Sequence, residues 1–280
     1  MSLFRKLFFG LAIGLPLLAT GAQALEMTKQ QRAEQRRFSY NNSLFVLYHE
    51  VGHLLFHQLD LPILGREEDA ADNFASWTLL RQGTDVAKQV MEDASHGWLL
   101  SGVAYNSGGD ESDFAAAHSL DKQRAYQIVC LAIGMDEDAF RPIANEYRID
   151  RDRQESCAWD YDMVDRSLDN VLAGSGSKKG MGTEVVVTYH HVGGRLKAAA
   201  DAFRSSGVFD QVADELRTRY RLRETVRFNA QRCGEANAFY DPDTVEVIFC
   251  YELMQDYMDL YADDLAEEIA NSPAGKQKVR

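Results

Sequence analysis

The chain has 280 residues, enough for one large domain or two small ones with a real core. It carries 43 acidic against 30 basic residues, a net charge of −13. Such a surface repels phosphate backbones and anionic lipid, so nucleic acid and membrane-surface partners are not expected.

The first residues read as a removable leader. "MSLFRK" gives a short basic end, "LFFGLAIGLPLLAT" an apolar run and "AQA" a small-residue cleavage site after Ala24. Pro16 interrupts a run already short for a membrane span, so a signal peptide over residues 1–24 is expected rather than an anchor. No later segment is long and apolar enough for stable membrane insertion. Cleavage removes Arg5 and Lys6 and leaves a net charge of −15 on an exported chain, periplasmic or secreted.

Residues 29–172 read as helical, with apolar positions at helical spacing over 38–59, 67–82, 120–134 and 156–172. "YNSGGDESD" (105–113) is a polar break, and "AGSGSKKGMG" (173–182) is a Gly/Ser-rich linker. Beyond it, "TEVVVTYHHV" (183–192), "ETVRFNAQ" (224–231) and "VEVIFCY" (245–251) alternate and are β-branched, which predicts strands. Asp241-Pro242-Asp243 supplies a turn between the last two, and helices are expected at about 195–221 and 252–270. Three strands and two helices alone make a thin domain. The expectation is therefore one composite α+β domain over 25–280, mostly helical, with a small sheet from the C-terminal half. Its helical part is 25–172, its linker 173–182 and its strand-containing part 183–280.

Cys130, Cys157, Cys233 and Cys250 make an even count in an exported chain, with no Cys-x-x-Cys pair, which favours disulfides over a cysteine zinc cluster. Of the three possible pairings, Cys130–Cys157 would join two helices and Cys233–Cys250 two strand-like runs across a turn; these are favoured.

"FVLYHEVGHLLFHQLDLPILGREEDAADNFA" (45–75) carries the chemistry. His49 and His53 stand at i and i+4 on one helix face, so both imidazoles can share one metal ion. Glu50 beside them can deprotonate a water. A catalytic zinc wants a third protein ligand. Leu61-Pro62 and Gly65 end the first helix, and a second begins with acidic residues in its first turn, where the helix dipole favours them. Folding back, that turn offers Glu68 as third ligand, with Asp72 one turn on to accept a hydrogen bond from a ligand histidine. Glu67 and Asp69 read as ordinary helix-start charge. His57 lies about 12 Å along the axis from His49, too far to share a tetrahedral ion.

"HEVGH…GREEDAADNFA" resembles the gluzincin pattern of two histidines plus a Glu-x-x-x-Asp helix. In detail the chain is similar to an exported bacterial metallopeptidase family, domain of unknown function 4344. The similarity extends over "HSLDKQRAYQIVC" (118–130), "ESCAWDYDMVDRSL" (155–168) and "CGEANAFYDPDTVEVIFCYEL" (233–253). The resemblance implies a zincin-like fold, Zn2+ at His49, His53 and Glu68, Glu50 as base, Asp72 supporting a ligand, and a peptide or protein substrate. "HSLDKQR" also resembles the His-Pro-x-x-x-x-Arg of CAAX-endopeptidase-type gluzincins, whose basic pair serves the transition state. His118 and Arg124 stand at that spacing, with Ser119 in place of proline; a helix-capping segment with a structural arginine is the other reading. In the family the Cys-Gly…Cys-Tyr-Glu-Leu stretch precedes the His-Glu-x-x-His helix, whereas here it follows, which implies circular permutation. The expected function is zinc-dependent peptide-bond hydrolysis outside the cytoplasm. Its rivals are a non-catalytic, zinc-stabilised envelope binding protein with a relic site, and a disulfide-stapled helical protein without metal.

Overall fold

Thr28 opens the first helix by accepting from the Gln31 N–H while the Gln31 side chain accepts from the Thr28 N–H, a reciprocal cap that starts the helix well before residue 38. The computed structural model describes residues 26–83, 85–173 and 182–272. The expected leader and residues 174–181 of the expected linker lie outside the described residues.

Six helices come first: α1 (Lys29–Gln58), α2 (Glu67–Leu80), α3 (Asp85–Ala104), α4 (Asp121–Met135), α5 (Glu137–Glu146) and α6 (Arg151–Val171). Then follow β1 (Val185–Tyr189), α7 (Lys197–Ser206), α8 (Val208–Arg219), β2 (Val226–Gln231), β3 (Ala238–Asp241), β4 (Glu246–Cys250) and α9 (Tyr251–Asn271). The fold is α+β, as the sequence predicts. Among the described residues, no helix is long and apolar enough to cross a membrane.

Helices α3 and α5 go beyond the expectation, as does β3. The expected single helix over about 195–221 is broken by Gly207, whose φ of 72° ends α7 and redirects the chain into α8.

The sheet has strand order β1-β2-β4-β3. β1, β2 and β4 run parallel, and β3 pairs antiparallel with β4 as an edge strand. Phe203 of α7 stacks on Phe249 at a centroid distance of 3.9 Å, and Phe209 of α8 packs on Phe228 at 5.0 Å, so these helices cover the sheet with aromatic rings. α1 packs against β3, β4, α2, α3 and α9 and is the hub of the molecule. Its buried polar groups are answered: Gln35 donates to the Met258 carbonyl at 2.7 Å, and Asn41 to Asp93 at 2.6 Å. The buried apolar residues of the helical and strand-containing parts form one contiguous cluster.

Cys130 is bonded to Cys157, tying α4 to α6, and Cys233 to Cys250, tying the loop after β2 to the end of β4. They close loops of 27 and 17 residues. On the loop-entropy account each contributes about 3–4 kcal/mol.

Candidate metal centre

α1 carries His49, Glu50 and His53 into the space between itself and the start of α2. Two local features bring the helices together. Asp60 at φ 52° and the bond from the Leu61 N–H to the Phe56 carbonyl turn the chain sharply after α1. Gly52, between the histidines, lets α2 approach: a Cβ there would stand 3.2 Å from Ala71 Cα and 3.3 Å from the Phe74 ring.

The first turn of α2 then delivers Glu68. His49 Nε2 lies 3.1 Å from His53 Nε2 and 3.2 Å from Glu68 Oε2, and His53 Nε2 lies 3.4 Å from that same oxygen. Tetrahedral zinc at its usual bond lengths holds neighbouring ligand atoms about 3.3 Å apart, so the triangle has the size the ion requires. The donor chemistry agrees. His49 Nδ1–H donates to Asp72 Oδ1 at 2.8 Å and His53 Nδ1–H to Glu67 Oε1 at 2.8 Å. Those bonds fix the tautomers and turn both Nε2 lone pairs toward the carboxylate oxygen. When both rings are neutral these are three acceptors facing one another, and the residues fit a divalent metal.

His118 also reaches this point: its Nε2 lies 2.7 Å from Glu68 Oε2, and His49, Glu68 and His118 place ligand atoms within 4.8 Å of one another. That 2.7 Å is a hydrogen-bond length, shorter than the edge of a tetrahedral ligand set, and the His118 side chain is 51% exposed. Both His53 and His118 thus lie within reach of an ion placed between His49 and Glu68. Ser119 donates to Asp69 at 2.7 Å, which fastens the His118 segment to the start of α2. Asp69 thus has a task beyond helix-start charge, and so has Glu67.

Behind the triangle the network continues inward. Asp72 accepts from Arg124 Nε at 2.7 Å and Nη2 at 2.8 Å, both side chains being buried, and the guanidinium lies 3.5 Å from the Trp98 ring centroid. Arg124 faces Asp72 and Trp98, so it bears on His49 through Asp72. Glu50, 5% exposed, adjoins the same cleft and is approached by the backbone of Tyr240 in β3. His57 meets the Tyr240 hydroxyl at 2.8 Å, apart from the triangle.

The charges are strongly perturbed. Burial pushes the Glu50 carboxyl up. Burial opposes the Glu68 carboxylate too, but hydrogen bonds from His118, His49 and His53 hold it far below the usual range. Asp72 is likewise buried and is held well down by Arg124 and His49. For His49 burial favours the neutral ring, yet the bonds to Asp72 and Glu68 prevail and raise it to about 9. Without metal, a proton fills the space between the acceptors. A raised histidine stabilises the fold fully below its unfolded value near 6.5 and loses that contribution as pH rises through about 9. Chelator-treated protein should therefore show a lower Tm at pH 9 than at pH 6.5, whereas metal-loaded protein should gain on it over that interval, since metal needs the neutral ring. Thermal scans at the two pH values, with and without metal, check this.

A family model described as "Putative metallopeptidase", domain of unknown function 4344, matches residues 13–172 and 192–278. The chain belongs to this family. No curated protein and no solved structure matches it. The family match spans both the helices that build the metal-competent triangle and the strands beside it. Three contributors had no sequence signal that singled them out: Trp98 under Arg124, Tyr240 beside Glu50, and Tyr257, which lines the cavity next to Glu50. Glu67 had one, its place next to Glu68, but acidic residues are ordinary at a helix start.

Proposed function

We propose that the protein is an exported, zinc-dependent metallopeptidase of the gluzincin type, acting on peptide or protein substrates in the periplasm or outside the cell. Residues 25–280 work as one zincin-like domain once the leader is removed. The reading is carried by one observation: three acceptors, His49 Nε2, His53 Nε2 and Glu68 Oε2, converge at 3.1–3.4 Å with Glu50 beside them. Two disulfides and a strongly acidic exterior suit an exported chain.

His49, His53 and Glu68 would hold the ion. Zinc bound there would lower the pKa of water and polarise the scissile carbonyl. Glu50 takes a proton from the attacking water as its oxygen bonds to the carbonyl carbon. When the carbon–nitrogen bond breaks, Glu50 returns that proton to the leaving amine. Burial raises the Glu50 pKa, which makes its carboxylate a better acceptor than one in water. His118, half exposed at the rim, is free to swing from Glu68 and donate to the developing oxyanion. Arg124 holds Asp72, and Asp72 holds the His49 ring, so Arg124 serves by positioning.

The rival is a zinc-stabilised binding protein with a relic site. Glu50 argues against it, since holding a metal has no use for a buried carboxylate that is not a ligand. The deciding experiment is metal content of the mature chain with and without Glu68→Ala, followed by peptide turnover. About one zinc per chain, lost in the variant together with cleavage, is expected. Metal-free protein that stays folded and cleaves nothing would sink the proposal.

A further inference from the structure

A cavity of about 460 Å³ opens beside the metal centre, sharing His49, Glu50 and His118 with it. On α1 it runs from Glu50 back to Asn42, two turns or about 12 Å along the helix, between α3, α4 and α9. Its walls are apolar and aromatic: Val46, Trp98, Leu253 and Tyr257. Its charge is one-sided. Asp121 and Asp256 line it, and Arg124 is the one lining Lys or Arg side chain. Arg124 gives its Nε and Nη2 to Asp72 and one face to Trp98; its charge also acts on Asp121, but no hydrogen bond joins it to Asp121 or Asp256 among the described residues.

Each carboxylate is held in place but keeps an oxygen to spare. Asp256 Oδ1 accepts from the Tyr105 hydroxyl, and Asp121 Oδ2 from the Ser101 hydroxyl at 2.7 Å. Among the described residues, Asp256 Oδ2 and Asp121 Oδ1 have no hydrogen-bond partner. A third polar group points independently to an occupant. Tyr257 is only 7% exposed and lines the cavity, yet its hydroxyl has no partner among the described residues. The Tyr257 ring is buried while its hydroxyl stays open to the cavity, where an occupant or water can meet it.

We propose that this cavity is the specificity pocket of the proposed peptidase and that it selects a basic side chain, lysine or arginine, next to the scissile bond. The inference rests on the peptidase reading. The aliphatic stem of such a side chain lies along Val46, Leu253 and the aromatic walls, while its cationic head takes Asp256, Asp121 and the Tyr257 hydroxyl. A carboxylate would meet two like charges, and an apolar chain would leave both carboxylates without a partner in a partly dry pocket.

The test is a set of quenched fluorescent peptides alike except for lysine, arginine, norleucine, glutamine or glutamate at the positions flanking the cleaved bond. The zinc-loaded mature protein should prefer lysine or arginine over norleucine by about tenfold or more in kcat/KM, with glutamate poorest. Asp256→Asn should collapse that ratio, and Asp256→Lys should invert it toward glutamate. Turnover that is indifferent to the residue, or a ratio that Asp256→Asn leaves alone, overturns the pocket assignment while the peptidase reading stands. If no peptide is cut, the peptidase reading fails, and the pocket is judged by binding alone. Agmatine titrated against the wild-type and Asp256→Asn proteins, followed by calorimetry, should bind the first more tightly. Equal binding or none overturns the assignment, and agmatine binding without any peptide cleavage would make the site a receptor for free amines instead.

Discussion

Glu50→Gln should abolish peptide cleavage, by about 10²–10⁴-fold, while leaving one metal ion per chain in place. The substitution keeps the volume of the side chain and removes its ability to accept a proton. Glu50 is not among the three converging atoms proposed as ligands, so metal content should not change. Stability adds a second, independent readout. Burial is the largest influence on Glu50 and raises its pKa, so above the usual carboxylate range of pH this buried acid costs the fold stability. The neutral amide relieves that cost, and the Tm of the variant should equal or exceed that of the wild type. Lower activity with retained metal and undiminished Tm is the signature of a group kept for catalysis at the expense of stability. Loss of metal and stability together would make Glu50 a structural residue. Retained cleavage would assign the proton transfer to another group.

The site could be read from the sequence as far as its parts are local. His49, Glu50 and His53 sit within five residues, and one short turn separates their helix from Glu68 and Asp72. Periodicity and helix-start chemistry act over that range. What lay outside was assembled from distant elements. Trp98 and Tyr257 come from α3 and α9 and carry no spacing that ties them to His49. Helix α3 falls within the stretch the sequence reads as helical, but its bounds were unmarked, because its inward face mixes Val90 and Met91 with small residues, Ala87, Ala94 and Gly97. The reason is close packing: a Cβ on Gly97 would stand 1.9 Å from Asn42 Oδ1 of α1, so a bulkier and more legible residue would not fit. β3 was masked by its own turn, four strand residues ending at Asp241-Pro242 with Val245 at φ 55°. Yet this edge strand supplies the backbone beside Glu50. α9 lies beside the start of α1, where Gln35 donates to the Met258 carbonyl at 2.7 Å and Tyr261 to Glu34 at 3.2 Å, contacts that no local pattern announces.

Arg124→Met should lower stability by about 3–5 kcal/mol, because it leaves the Asp72 carboxylate buried with only His49 to answer it. For a chain of this size that is a fall in Tm of roughly 6–20 °C. Zinc affinity should drop by about 10–100-fold, since the His49 ring loses the carboxylate geometry that aims its Nε2. A double-mutant cycle separates this account from one in which Arg124 meets the substrate directly. Asp72→Asn removes the charge that Arg124 serves but keeps an oxygen to accept from His49 Nδ1–H. If Arg124 acts through Asp72, then adding Arg124→Met to Asp72→Asn should cost little further stability and little further turnover at saturating zinc. The two effects would be far from additive. If the guanidinium instead contacts the transition state, Arg124→Met should lower kcat by the same factor in both backgrounds. The bidentate bonds of 2.7 and 2.8 Å commit the guanidinium to Asp72, and the Trp98 ring 3.5 Å away covers one of its faces, so the non-additive outcome is expected.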